Sequence, residues 1–195
     1  MHTDLTLYFI RHGETDWNAQ LRYQGQTDIP LNATGRAQSR RNGLSLKAFV
    51  NDLTKLDFVS SPLRRTRETI EIIRENLALN PKDYRVDHRL IELSYGIWEG
   101  HLLSDLEKID TYGVEARARD PFYSRPHGGE SYADLRIRTL EWLQTVTRDT
   151  VVVSHGGVSR CLRGHILQLP EKKITELESP QDKVLVLKKG SISWI

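Results

Sequence analysis

The chain has 195 residues, which is enough for one domain with a substantial buried core and short for two. Hydrophobic residues make up 38% and charged residues 28%, proportions that exclude an intrinsically disordered protein. With 28 Lys and Arg against 26 Asp and Glu, the net charge of +2 gives no indication of nucleic acid or a membrane as a partner. The single cysteine, Cys161, excludes an internal disulfide and a cysteine-built zinc site.

The organisation of the sequence is that of a single domain over residues 1–195, because no repeat, low-complexity run or flexible linker divides it. The first apolar run, residues 5–10, is too short for the core of a signal peptide or for a membrane span. We therefore expect a cytoplasmic protein.

The hydrophobic pattern predicts strands that alternate with helices. The predicted strands are residues 5–10, 56–60, 150–154, 184–187 and 191–195, with a turn at Lys189 and Gly190 between the last two. The predicted helices are residues 34–49, 62–77, 131–146 and 158–169, the second with Ser61 as N-cap and Pro62 in its first turn. Residues 80–126 are predicted as loops around one or two short helices, one of them at residues 103–109. This order indicates an α/β fold, a three-layer α/β/α sandwich with a mostly parallel central sheet.

Polar side chains follow three of the predicted strands. The first strand runs into Arg11 and His12, the second precedes Arg65, and the third precedes His155 and Gly156. Ligands bind at the carboxyl ends of parallel strands, so these side chains are expected to converge. Paired guanidinium donors, helix N-termini and glycines suit a phosphate or another compact dianion.

Such a site suits phosphoryl transfer. The charge that spreads over the phosphoryl oxygens is stabilised mainly by fixed cations. A neutral histidine can attack phosphorus to form a covalent intermediate, and a carboxyl group can protonate the leaving alkoxide.

Six blocks of residues occur in order along almost the whole chain. They are Arg-His-Gly-Glu-Thr-Asp-Trp-Asn at 11–18, Gln-Gly at 24–25 with Asp-Ile-Pro-Leu-Asn at 28–32, Ser-Pro-Leu-Arg-Arg-Thr at 61–66, Leu-Ile-Glu at 90–92 with Gly-Ile-Trp-Glu-Gly at 96–100, Gly-Glu-Ser at 129–131, and Val-Ser-His-Gly-Gly at 153–157. In this order the blocks resemble the histidine phosphatase superfamily, the phosphoglycerate-mutase-like proteins.

The resemblance implies a role for nine residues. The implied catalytic residues are His12 as the nucleophile that becomes phosphohistidine, Glu92 as the proton donor, and Arg11, Arg65 and His155 as the phosphate pocket. The implied substrate-binding residues are Asn18, Gln24, Gly25 and Gly156. The family uses no metal or other cofactor for this chemistry, and the arginines already bring the positive charge that a metal would supply.

Simpler interpretations of these residues stay open. The two histidines and Glu92 could bind a metal ion instead. Arg64 and Arg67 are expected on a solvated helix face, and Cys161 is expected in the core. For His127, Trp17 and Trp98 two roles stay open: each could line the wall of the pocket or have only a structural role elsewhere in the fold.

The residues after the implied acid favour hydrolysis over mutase chemistry. The mutases of the family carry an Arg-His pair where this chain has Leu93 and Ser94, and they are generally longer. The block at 96–100 is similar to that of the broad-specificity and α-ribazole phosphatases. We therefore expect a phosphomonoesterase of small phosphorylated metabolites whose specificity lies in residues 100–126. A bisphosphoglycerate-dependent phosphoglycerate mutase and a non-catalytic phospho-ligand binding module are the alternatives, and residues 191–195 could pair between subunits of a homodimer.

Overall fold

The centre of the protein is a six-stranded sheet. The computed structural model describes residues 5–188 and 190–195, so Lys189 of the predicted turn lies outside the described residues. The strands are β1 (Leu7–Arg11), β2 (Asp57–Ser60), β3 (Arg85–Val86), β4 (Thr150–Ser154), β5 (Leu185–Lys188) and β6 (Ser191–Trp194). Their order across the sheet is β3-β2-β4-β1-β5-β6.

Most strand pairs are parallel, as the sequence predicts. β4 pairs in parallel with β1 on one side and with β2 on the other, and β3 continues the parallel part. β5 and β6 add an antiparallel edge. The two-residue strand β3 was not predicted, because Arg85 and Val86 are both exposed and give no hydrophobic pattern. The last strand, β6, is an edge strand, as expected.

The part of the chain that the structure describes contains eight α-helices. They are α1 (Asp16–Ala19), α2 (Ala33–Phe49), α3 (Arg64–Asn76), α4 (Leu103–Ile109), α5 (Thr111–Arg119), α6 (Tyr132–Gln144), α7 (Gly156–Ile166) and α8 (Glu171–Glu176). The two short helices α4 and α5 agree with the prediction for residues 80–126. Helix α8 was not predicted, because its six residues carry only one buried apolar side chain, Ile174.

Side chains alternate between the two faces of β1 and separate two hydrophobic cores. Leu7 and Phe9 join a cluster that contains Leu135 of α6 and Leu162 of α7. Tyr8 and Ile10 point the other way and pack with residues of α2 and α3, among them Leu46 and Ile73. The sheet is therefore the middle layer of the three-layer α/β/α sandwich that the sequence predicts.

The start of α3 differs from the prediction. The helix begins at Arg64 with Leu63 at the N-cap, so neither Ser61 nor Pro62 belongs to it. The Ser61 hydroxyl lies instead 2.7 Å from Nε2 of His155. The Ser61 side chain, which sequence rules assign to capping α3, is therefore used in a tertiary contact.

Three further side chains were assigned from sequence to the core or to the surface. Cys161 is buried, and burial raises the pKa of its thiol to about 12, as expected of a packing residue. Arg64 and Arg67 are exposed, also as expected.

No helix within residues 5–188 and 190–195 has the length and apolar character needed to cross a bilayer.

The end of β1 is fixed to α3 through Thr69, and this contact gives a stability prediction. The fully buried Thr69 hydroxyl accepts from the N–H of Gly13 at 3.1 Å and donates to the Arg65 carbonyl at 2.7 Å. In Thr69→Val the Gly13 N–H loses its acceptor, so we expect a loss of about 1–3 kcal/mol in the free energy of unfolding, measured with urea. The exposed Thr34→Val is the control, and equal midpoints for the two variants would contradict the prediction.

Candidate active site

A polar cavity of about 140 Å³ lies at the carboxyl ends of β1 and β4. Its lining residues are Arg11, His12, Asn18, Arg22, Tyr23, Gln24, Gly25, Arg65, Glu92, Tyr95, Gly156 and Arg160. Eight of the nine residues singled out from sequence are among them. The exception is His155, which is fully buried behind the cavity wall, its ring centroid 5.2 Å from that of His12.

His12 is held in one tautomer. Its Nδ1 lies 2.8 Å from the carbonyl oxygen of Gly13, and a carbonyl can only accept a hydrogen bond. In the neutral ring Nδ1 therefore carries the hydrogen, and Nε2 keeps its lone pair. Burial, with Arg65 and Arg11 close by, lowers the pKa of His12 well below its usual value, so the ring is neutral at physiological pH. A neutral imidazole with a free Nε2 has the form that a nucleophile needs.

His155 is neutral for the same reasons, and one of its two ring nitrogens has no hydrogen-bond partner among the described residues. Burial and the nearby Arg65 lower its pKa well below the usual value. Nε2 contacts the Ser61 hydroxyl, whereas Nδ1 has no hydrogen-bond partner among the described residues. If Ser61 donates to Nε2, Nδ1 carries the hydrogen and is a buried donor without an acceptor.

Two arginines are held in place by carbonyl oxygens. Nη1 of Arg11 donates to Ser179 at 2.7 Å, while Nε of Arg11 is buried without a partner among the described residues. Arg65 donates from Nη1 to Thr27 at 2.8 Å and from Nη2 to Gly25 at 2.6 Å. Burial lowers the pKa of both guanidinium groups, that of Arg65 to about 10. Both stay charged at neutral pH, because the ordinary pKa of arginine lies far above neutrality. A compact anion would satisfy both the charge and the unpaired donors.

The amides of Gln24 and Asn18 complete the wall. Assigned by its partners, the Gln24 amide donates to the Thr15 hydroxyl and accepts from Nε of Arg65 at 2.7 Å. Gln24 therefore orients Arg65 from within the cavity wall. Oδ1 of Asn18 accepts from Gln181 at 3.1 Å and from Thr15 at 3.2 Å, which leaves its amide nitrogen for the cavity.

Gly25 stands where the backbone has to turn tightly. Its φ of +54° lies in the left-handed region, and a Cβ there would come within 2.1 Å of Oε1 of Glu99. The same glycine offers its carbonyl to Arg65. A larger residue at position 25 would displace the Arg65 guanidinium.

Glu92 reaches the cavity from the loop before the short turn at Gly96–Trp98. Its carboxylate accepts from the N–H of Leu93 at 2.9 Å and from the N–H of Gly157 in α7 at 3.2 Å. The approach requires a glycine, because a Cβ on Gly157 would lie 2.5 Å from Oε1 of Glu92.

Arg138 of α6 fixes the loop that carries Glu92. Its guanidinium donates to the carbonyls of Arg89 at 2.8 Å and Glu92 at 2.9 Å, and also to the carbonyl of Ile91. It forms an ion pair with Glu130 at 3.0 Å as well. These contacts hold the loop, and with it the Glu92 carboxylate, in a fixed position.

Four residues of the lining were not identified from sequence: Arg22, Tyr23, Tyr95 and Arg160. One signal was available, because Arg160 follows Gly156 by four residues and so shares its helix face. No comparable spacing marks the other three, which reach the cavity from loops.

The structure also places the three residues considered for the pocket wall and the residue types that bind metal ions. Trp98 is buried, Trp17 lies beside Gly100, and His127 is exposed; the lining contains none of the three. Within residues 5–188 and 190–195, no group of three or more His, Cys, Asp or Glu side chains is placed to share a metal ion.

Comparison with known proteins gives matches over most of the chain. The family model described as histidine phosphatase superfamily (branch 1) matches residues 7–193. A protein of Shigella dysenteriae named probable phosphoglycerate mutase GpmB is 35% identical over 172 residues, which cover 85% of this chain and 76% of the relative.

Two solved structures share the fold. The mycobacterial glucosyl-3-phosphoglycerate phosphatase in complex with VO3 is 31% identical with a TM-score of 0.79, covering 98% of this chain and 96% of that one. The α-ribazole phosphatase of Shigella flexneri has a TM-score of 0.82 at 22% identity, and the match covers 97% of this chain and 94% of that one.

The two neutral histidines predict how stability depends on pH. In the unfolded chain both titrate near pH 6.5, whereas in the folded protein their pKa values are well below it. Below about pH 6.5 the unfolded state binds more protons than the folded state. The free energy of unfolding therefore decreases as the pH is lowered, by up to about 1.4 kcal/mol per pH unit for each histidine. Urea unfolding in a phosphate-free buffer between about pH 7.5 and 5.5 measures this slope.

His12→Asn and His155→Asn should each make the slope shallower, and the exposed His88→Asn should leave it unchanged. A slope that neither buried-site variant alters would contradict the neutral state of the two rings.

Proposed function

Because the chain belongs to the histidine phosphatase superfamily, we propose that it is a phosphomonoesterase that hydrolyses small phosphorylated metabolites through a phosphohistidine on His12. One observation carries the proposal. A neutral histidine with a free Nε2 lies next to two arginines, and one buried donor of these arginines, Nε of Arg11, has no partner among the described residues. A phosphoryl group in the cavity would satisfy this donor while it faces the nucleophile.

Binding of the phosphoryl group uses the donors around His12. Arg11 and Arg65 neutralise its charge, and Asn18 offers its amide nitrogen. Helix α7 starts at Gly156, which lines the cavity and has no side-chain cap before it, so the positive end of the helix lies at the same cavity. The donors are fixed before substrate arrives, which is the condition for stabilising the transferring group without reorganisation.

The first chemical step transfers the phosphoryl group to His12. The Nε2 lone pair forms the N–P bond as the ester P–O bond breaks. The leaving oxygen takes the proton of the Glu92 carboxyl group, and the alcohol departs. The Gly13 carbonyl, which accepts from Nδ1, stabilises the positive charge that develops on the ring.

The second step returns the enzyme to its starting state. A water molecule replaces the alcohol, and the Glu92 carboxylate takes a proton from it as its oxygen attacks phosphorus. The N–P bond breaks, inorganic phosphate leaves, and His12 is neutral again. Glu92 thus acts as acid and then as base in the same position.

Hydrolysis is favoured over mutase chemistry by the residues beside Glu92. Leu93 is fully buried, and the N–H of Ser94 donates to Glu130, so neither supplies a cation that would hold a second anionic group. The mutase remains the second candidate, because the GpmB relative is named a probable phosphoglycerate mutase. Added 2,3-bisphosphoglycerate with 3-phosphoglycerate as substrate tests it.

Removal of the nucleophile gives the first test. We expect His12→Ala to lower phosphate release from small phosphomonoesters by at least about a thousandfold, with EDTA present in every reaction. Inorganic phosphate should still bind in calorimetry, because Arg11 and Arg65 remain. His165→Ala, an exposed histidine far from the cavity, is the matched control. Turnover near wild type in His12→Ala would exclude the phosphohistidine mechanism.

Removal of the proton donor should depend on the leaving group. We expect Glu92→Gln to lower kcat/KM for alkyl phosphates by about a hundredfold or more, because an alkoxide needs the proton. For p-nitrophenyl phosphate, whose leaving group is stable as an anion, the loss should be far smaller. The exposed Glu141→Gln is the control, and equal losses on both esters would refute the acid role of Glu92.

A further inference from the structure

A second cleft, of about 580 Å³, opens beside the nucleophile cavity. The two share Arg11, Asn18, Arg22 and Tyr23, so the cleft adjoins the nucleophile cavity at these residues. The nucleophile cavity, about 140 Å³, is well below the 300–1,000 Å³ that is typical of small-molecule sites. Substrate atoms beyond the phosphoryl group therefore have to extend into the cleft.

Two leucines form the outer wall of this cleft. Leu21 is 81% exposed and Leu103 is 58% exposed. Leu21 also has a φ of +58°, a left-handed conformation that is unfavourable for a bulky side chain. Neither burial nor backbone preference explains a leucine at position 21, whereas an apolar ligand would.

The segments that carry the two leucines are joined to each other. The N–H of Tyr23 donates to His101 at 3.0 Å, and the N–H of Gly100 donates to Tyr23 at 2.8 Å. Arg22 forms a β-bridge with Leu102 and donates from Nη1 to the Gly100 carbonyl at 2.6 Å. The cleft is therefore formed before a ligand binds, which lowers the entropic cost of binding.

The polar groups of the cleft are largely bonded within the protein. Gln181 donates to Asn18 and to the His12 carbonyl, and Arg22 is held by Gln20 and Gly100. Apart from Arg11 and Asn18, which face the phosphoryl group, and the Arg22 guanidinium, the cleft offers a ligand the face formed by Leu21, Leu103 and the ring of Tyr23. That ring is fixed edge-to-face against Tyr95 at 4.8 Å between centroids.

We propose that this cleft binds the leaving-group part of the substrate and selects phosphomonoesters whose alcohol has an apolar alkyl or aryl body. The inference rests on the proposed phosphomonoesterase function. It places such esters ahead of small polyanionic acids such as 3-phosphoglycerate. Leu21 and Leu103 are the specificity-determining residues, and they act on binding of the alcohol rather than on the phosphoryl transfer.

A homologous series of esters tests the proposal while the chemistry stays constant. Ethyl, butyl and hexyl phosphate have leaving alcohols of nearly equal acidity and differ in apolar surface. Because each fully buried methylene gains about a fourfold factor in binding, kcat/KM should rise about two- to fourfold per methylene along the series. Hexyl phosphate should exceed 3-phosphoglycerate by at least about tenfold.

Two variants keep the fold and remove the apolar wall. Leu21→Asn is compatible with the left-handed backbone, and Leu103→Gln changes an exposed position in α4. Each should reduce the hexyl-to-ethyl ratio of kcat/KM at least about threefold, and the double variant should abolish the trend. Leu44→Asn, on α2 and 57% exposed, is the matched control and should keep the wild-type ratio.

Failure of the cleft assignment and failure of the proposed function give different results. A flat series with clear hydrolysis of every ester would overturn the assignment and leave the phosphomonoesterase standing. If no ester is hydrolysed, non-hydrolysable methyl-, butyl- and hexylphosphonate still test the cleft by calorimetry. Tighter binding with chain length that Leu21→Asn removes would support it, and equal affinities would overturn it.

Discussion

The parallel pairing of β1 with β4 places Arg11 directly opposite Ser154, and the positions of both histidines follow from that register. His12, the residue that follows β1, donates its N–H to the Ser154 carbonyl at 2.9 Å, and His155 is the residue that follows β4. A one-residue slip would turn Arg11 and its neighbours to the opposite faces of the sheet. The valine-rich strand β4 is buried along its whole length between two apolar layers, so a slip would also expose core side chains. The core therefore enforces the register that the chemistry needs.

Burial lowers the pKa of the arginines and of the histidines of the site, but only the histidines lose their charge. Arg11 and Arg65 stay charged because their intrinsic pKa is high and because carbonyl oxygens of loops surround them. The two histidines, with a pKa near neutrality, lose their protons under the same desolvation. One environment thus supplies fixed positive charge and an unprotonated nucleophile together. The unpaired donors that it leaves weaken the unliganded protein, and an anion would stabilise it.

The site joins segments that are distant in sequence through side-chain contacts with backbone. Arg138 holds the Glu92 loop by its carbonyls, and Gln181 contacts both the His12 carbonyl and the Asn18 amide. Loops that would otherwise be mobile are thereby attached to α6 and to the sheet. The same principle extends to the cleft, where residues 20–23 and 100–103 form one wall. The phosphoryl group meets a rigid site, and the outer part of the substrate meets residues that can vary without disturbing it.

By itself the sequence indicated most of the strands and helices, the α/β class and the superfamily, and it singled out nine candidate site residues, because these depend on local periodicity and on contiguous motifs. Only the tertiary structure decided that His155 lies behind the cavity wall, that Ser61 contacts it instead of capping α3, and that Arg22, Tyr23, Tyr95 and Arg160 face the ligand space. The same holds for Gln24, which orients Arg65. These features arise from contacts between residues far apart in the chain. No local pattern encodes such contacts, because the partner that a loop side chain finds is fixed only when the strands have packed.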